Sequence, residues 1–194
     1  MKRLAVFSAL LLIAACAPSE QNVATSTVES APPAAPAPAS YSEFNTTATI
    51  RDVMNTLIDP SADALWEAVR FEVDEDGEHD FSPQTEEEWQ ALRYEAVSII
   101  EGGNALMLPD RHVAPPGATT EFPEYEFIPE EVEAKLREDR QSWIGFAQGL
   151  QNAAVQALQA IEDRNVDQLI EYGALLDEAC ESCHSQYWYR PEVD

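Results

Sequence analysis

The sequence predicts an all-α fold, an antiparallel four-helix bundle, and two observations carry that expectation. Apolar residues recur at alternating steps of three and four along Trp89, Leu92, Ala96, Ile99, Gly103 and Leu106, and again along Val166, Leu169, Gly173, Leu176, Cys180 and Cys183. Steps of three and four keep side chains on one face of an α-helix, and a sustained run of them is the seam of a helix packed in a bundle. In addition, no stretch carries a convincing strand alternation.

Three segments are expected. Residues 1–15 hold Lys2 and Arg3, an apolar run from Leu4 to Ile13, and Ala14-Ala15 before Cys16. That is the shape of a secretory signal peptide, too short to remain as a membrane span. Ile13-Ala14-Ala15-Cys16 resembles the lipobox of bacterial lipoproteins, which implies removal of the signal and lipidation of Cys16. Ala17 after the cysteine then points to the outer membrane under the usual sorting rule. An ordinary signal cleaved near the same point is the alternative. Residues 16–43 contain Ala31-Pro32-Pro33-Ala34-Ala35-Pro36-Ala37-Pro38 and almost no large apolar side chain, so they read as a disordered tether, extended where proline is dense. Residues 44–194 make one domain.

The formal net charge is −25. Such a charge repels nucleic acid and anionic lipid, and it would steer a partner protein with a basic face. Keeping the protein dispersed in solution is its other use.

Within the domain the first helix is expected from Thr46 or Thr47, with Ile50, Val53, Met54, Leu57 and Ile58 as its buried stripe. Asp59-Pro60 then predicts a kink or short break, with Asp59 capping a second piece that carries Leu65, Trp66 and Val69. Glu72 to Pro83 reads as an acidic, solvated connection. Its Asp74-Glu75-Asp76-Gly77 run suggests a calcium loop, but Pro83 stands where the bidentate glutamate would be needed. Thr85-Glu86-Glu87-Glu88 is a capping box opening the second helix. Leu108 to Pro129 is a long loop with His112, Phe122, Tyr125 and Phe127. The third helix starts at Pro129 or Glu130 and carries Val132, Leu136, Trp143, Phe146, Leu150, Ala154, Ala157 and Ile161. Asp139 and Arg140 interrupt its stripe, where Arg140 either snorkels outward or pairs with a carboxylate of a bound cofactor. Asn165 caps the fourth helix, which Pro191 follows.

Near the end of that helix stands Cys180-Glu181-Ser182-Cys183-His184, the attachment signature of c-type haem. Thiols three residues apart on a helix point the same way and can both form thioethers along one porphyrin edge. His184, four residues from Cys180, can then serve as an axial ligand to the iron. Zinc would need four ligands, and a second cysteine pair is missing; a thioredoxin-like redox pair belongs beside a βαβ pattern. Both thiols lie on the apolar seam, so a porphyrin held there hangs between helices. The signal supports this reading, since covalent haem is assembled outside the bacterial cytoplasm.

Helical stripes with Cys180, Cys183 and His184 near the C-terminus give a chain that resembles the cytochrome c′ family, over roughly 46–190. The resemblance implies a periplasmic four-helix bundle with one covalent haem c per chain, often a homodimer. Cys180 and Cys183 would hold the haem, His184 would be the proximal ligand, and a residue of the first helix would lie over the distal face. In the low-spin branch that residue is a methionine, and Met54 is its match; Met107 and His112 are rivals for the role. Electron transfer is the expected function, with a five-coordinate binder of nitric oxide or carbon monoxide as the alternative. No acid–base constellation suggests an enzyme.

Overall fold

The computed structural model describes residues 44–191. The chain divides into two units, Met1–Ser40 and Tyr41–Asp194, and everything below concerns the second. The expected signal peptide, Cys16 and the tether lie outside the described residues.

The described part is mostly helical, with one small sheet. Helix α1 (Ile50–Val53) opens at Thr49, whose hydroxyl accepts the Asp52 N–H (3.2 Å) while the Asp52 carboxylate accepts that of Thr49 (2.8 Å). The carbonyls of His112 and Val113 take the N–H groups of Ile50 (2.9 Å) and Arg51 (3.0 Å). The helix therefore starts later than Thr46 or Thr47, where its first unpaired donors find acceptors.

The expected break at Asp59-Pro60 is instead a change of helical pitch. Met54–Ile58 form a π-helical turn that runs straight into α2 (Asp59–Glu67), and the Asp59 N–H bonds the Met54 carbonyl five residues back. Asp59 is helical, not a cap. The wider turn also rotates Leu57 out of the stripe, leaving it 38% exposed, whereas Ile50, Val53 and Ile58 are buried.

The acidic connection folds as a β-hairpin, a correction to the expectation of no strands. β1 (Phe71–Asp74) pairs antiparallel with β2 (Gly77–Asp80), Phe71 opposite Asp80 and Asp74 opposite Gly77. Gly77 sits at φ +130°, which only glycine adopts freely. One Asp74 oxygen accepts from the N–H groups of Asp76 (2.8 Å) and Gly77 (3.2 Å) and contacts His79 Nε2 (3.0 Å). The acids thus close a turn through their own backbone. Alternation was hidden because outward positions such as Phe71 and Val73, 60% and 67% exposed, are the apolar ones.

Helix α3 (Glu86–Leu106) has the expected capping box, and all six expected seam residues from Trp89 to Leu106 are buried. The expected third helix is two. Helix α4 (Pro129–Glu138) ends at Asp139, which leaves helical geometry and caps α5 (Arg140–Glu162) by accepting from Ser142 N–H (3.0 Å) and its hydroxyl (2.7 Å). The charges that interrupted the stripe mark a boundary between helices. Helix α6 (Val166–Tyr187) is capped by Asn165 as expected.

α2 packs on α3 and α6, α3 on α5, and α5 on α6, with α4 against α5 and α6. Ile58, Leu65, Ile99, Ile161, Leu169 and Leu176 are the largest side chains fully enclosed by this packing. Two glycines of α3 set its spacing. Gly103 allows close approach of Gln151, whose Nε2 donates to the Ile100 carbonyl (2.9 Å), so that glycine serves helix packing. At Gly102 an added Cβ would stand 2.6 Å from Ile58 Cγ1, and Ile58 has no room to retreat. Gly102→Ala is therefore expected to lower stability: overpacking costs about 1–3 kcal/mol, against a gain of up to about 1 kcal/mol in helix propensity. The urea midpoint measures this, and an unchanged or higher midpoint contradicts the close fit of the π-turn against α3.

Candidate functional site

The seam of α6 does not end at Cys183. Tyr187, four residues on, is also buried, and the faces of Cys180, Cys183 and Tyr187 open onto a cavity of about 450 Å³. A volume of that order suits a bound organic group. The wall opposite α6 is built by Ile50, Arg51 and Met54 from α1 and the π-turn, and by Leu106 of α3. Trp143, Phe146, Ala147 and Leu150 of α5 contribute a further apolar side. Trp143 is fixed there by its indole N–H, which donates to the Leu106 carbonyl (2.9 Å). Tyr187 meets both Trp143 (5.3 Å between ring centroids) and Phe146 (5.8 Å) edge to face. These edge-to-face contacts join α5 and α6 across the cavity wall.

The long loop forms the rim. It is tied to α1 through the His112 and Val113 carbonyls and through Arg51 Nη1, which donates to the Thr119 carbonyl (3.1 Å). It is tied to the end of α6 where Phe127 N–H donates to the Trp188 carbonyl (2.7 Å) and Arg190 N–H to that of Tyr125 (2.7 Å). Thr119, Thr120, Glu121, Glu126 and Phe127 line the opening, whereas Phe122 and Tyr125 point to solvent.

Of the residues singled out from sequence, Cys180, Cys183, His184 and Met54 line this one cavity. Met107 and His112, the rivals of Met54, do not. Met107 lies at the end of α3, and exposed His112 places Nδ1 3.0 Å from a Glu133 oxygen. Arg140 is also elsewhere: its Nη2 donates to the carbonyls of Met107 (2.6 Å) and Leu108 (3.1 Å), capping the C-terminal end of α3. The cation on the cavity wall is Arg51. In the sequence Arg51 stands three residues before Met54, where the resembled family often has an arginine four before its methionine, and that mismatch gave it no part in the site; its guanidinium is tied to the distant loop at Thr119.

The two thiols are not bridged to each other. Burial first, then the negative charges of Asp177, Glu181 and Asp59, push the Cys180 thiol up to about 11. Burial, and Cys180 beside it, push Cys183 up to about 12. Redox-active thiol pairs need a depressed value to supply thiolate at neutral pH, so this pair is poorly suited to disulfide exchange. Among the described residues no group of three or more His, Cys, Asp or Glu is arranged to hold a metal ion by itself. The His184 imidazole of α6 and the Met54 thioether of the π-turn line the same cavity. Tyr187 lines the cavity, and its hydroxyl is the buried side-chain polar atom left without a partner among the described residues.

Burial lowers the pKa of His184 against the opposing pull of Glu181 and Asp59. Its ring packs edge to face against Trp188 (4.9 Å). An imidazole that protonates more readily unfolded than folded makes stability fall as pH drops below the ordinary value of about 6.5. Asp52, Asp74, Glu88 and Asp139 have lowered values held down by hydrogen bonds, so their stabilisation is lost only near and below about pH 4.

No family model, curated protein or solved structure matches this chain.

Proposed function

We propose that the protein is a c-type cytochrome that carries electrons, an antiparallel four-helix bundle of the kind implied by the resemblance to cytochrome c′. In this reading Cys180 and Cys183 hold the one haem c by thioether bonds, His184 is the proximal ligand and Met54 is the sixth ligand. Bound there, haem would supply one-electron redox chemistry. The observation that supports the reading best is the convergence on one cavity of both thiols, His184 and Met54, with the rivals Met107 and His112 outside it.

Each residue's part follows from its setting. The apolar walls exclude water and favour a flat macrocycle. Cys180 and Cys183 tether it along one edge, and the contact with Trp188 restrains the His184 ring. Met54 offers a thioether, whose ligation together with histidine raises the reduction potential. Arg51, with one N–H used by Thr119, keeps further donors for a propionate carboxylate; this is the part the sequence suggested for Arg140. Were His184 and Met54 both to hold the iron, the group would supply electron transfer with no position left for a substrate, which fits a carrier.

The net charge of −25 suits docking to a redox partner with a basic face. Among the described residues no helix is long and apolar enough to cross a membrane. In this reading attachment rests on a lipidated Cys16 in the periplasm, at the outer membrane.

Two experiments test this reading. In denaturing electrophoresis the wild-type chain should retain a haem stain, and Cys180→Ala with Cys183→Ala should lose it and fold poorly, because a porphyrin-sized void would remain in the core. Stain surviving in the double variant would remove the attachment assignment. Cys16→Ser should move the protein from the membrane to the soluble periplasmic fraction. A variant still sedimenting with membranes would contradict the lipid anchor.

A further inference from the structure

We infer that Pro60 is a positioning residue: by holding Met54–Ile58 in a π-turn, it rotates Met54 out of the core stripe and into the cavity. This rests on the proposed part of Met54 as a ligand. The geometry lies in the burial pattern of α1, the π-turn and α2. Downstream, the buried stripe runs through Ile58, Ala62 and Leu65. Extended backwards at α-helical spacing, that stripe would bury Met54, four residues before Ile58. The chain buries Val53 instead, at 4% exposure and five residues before Ile58. Met54 is set one position round, beside Ile50 and Arg51 on the cavity wall. One extra residue in a turn corresponds to a rotation of about 100° between the segments on either side of it.

Proline explains why that residue is accommodated here. In a regular α-helix the Thr56 carbonyl would seek an N–H at position 60, which proline lacks, and the pyrrolidine ring would collide with that carbonyl. The π-turn avoids both problems. The Asp59 N–H reaches back to the Met54 carbonyl, and the Thr56 hydroxyl donates to the Asp52 carbonyl (2.6 Å). Widened turns of this kind recur where a helix must aim a side chain at a site. Ile58, held against Gly102, fixes the downstream segment, so the rotation falls on the segment that carries Met54.

An alanine at position 60 restores the N–H and removes the collision. The regular register then becomes the favoured one; Met54 swings into line with Ile58, and Asn55, which already lines the cavity beside Met54, moves into the place Met54 leaves. The test compares wild type, Met54→Ala, Pro60→Ala and the double variant Pro60→Ala/Asn55→Met as full-length, haem-loaded proteins. Absorption spectra of both oxidation states are recorded with and without carbon monoxide, and far-UV circular dichroism checks helix content. Pro60→Ala is expected to keep its helix content and pigment but to lose the low-spin spectrum and bind carbon monoxide, as Met54→Ala does. The double variant should regain the low-spin spectrum, a rescue that a merely stabilising proline would not give. Pro60→Ser supplies the same N–H and is read in the same way if the alanine variant does not accumulate. A wild-type spectrum in Pro60→Ala alongside a high-spin Met54→Ala overturns the inference and leaves the proposed function standing, as does failure of Asn55→Met to rescue. A Met54→Ala protein with an unchanged low-spin spectrum overturns the ligand assignment and this inference with it. Absence of pigment from the wild type overturns the proposed function itself.

Discussion

Burial of one face of α6 is the constraint on which the centre of this protein depends. Side chains three and four residues apart share a helix face, so burying Leu169, Gly173 and Leu176 commits Cys180, Cys183 and Tyr187 to the same side. At Gly173 the Trp66 ring comes against the seam, within 3.3 Å of where a Cβ would stand. Past Leu176 the neighbouring helices stand back, and the same face lines a cavity. The thiols are then enclosed by packing already required for the fold, and their raised pKa values follow from that enclosure and the acids nearby.

What was legible in the sequence was local and periodic. The seams of α3 and α6, the Thr85 and Asn165 caps, and the placing of Cys180 and Cys183 on one face each depend on residues within a few turns of one another, and spacing alone gives which way their side chains face. Met54 was legible as a core-facing residue but for an incomplete reason. A regular stripe would have put it against α3, and its place on the cavity wall comes from a change of pitch. Proline at position 60 signals that regular helix cannot continue, yet a break, a kink and a widened turn all satisfy that requirement. Choosing among them takes the partner surface, here Gly102 receiving Ile58.

Other features stayed hidden because their causes are distant in the chain. Arg140 looked free to reach a cofactor until α4 ended at Asp139 and brought its guanidinium to the last carbonyls of α3. Arg51 gained its place from a loop 68 residues away, through the Thr119 carbonyl. The hairpin went unseen because its exposed apolar side chains and acidic composition reverse the usual strand pattern. The long loop was correctly marked as a loop, and its tie to both α1 and the end of α6 makes it the rim of the cavity. Its lining acids, Glu121 and Glu126, put negative charge at the opening, in keeping with a cationic partner approaching from that side.

The central claim is that His184 and Met54 face each other across a haem held by Cys180 and Cys183. The most direct measurement is the visible absorption spectrum of the reduced wild-type protein, recorded before and after carbon monoxide is added. The account predicts a covalently retained pigment with the sharp α band of a low-spin iron, unchanged by carbon monoxide because both axial positions are taken. A high-spin spectrum that shifts at once on adding carbon monoxide would contradict it and favour the gas-binding alternative, and a colourless protein would remove the cofactor altogether.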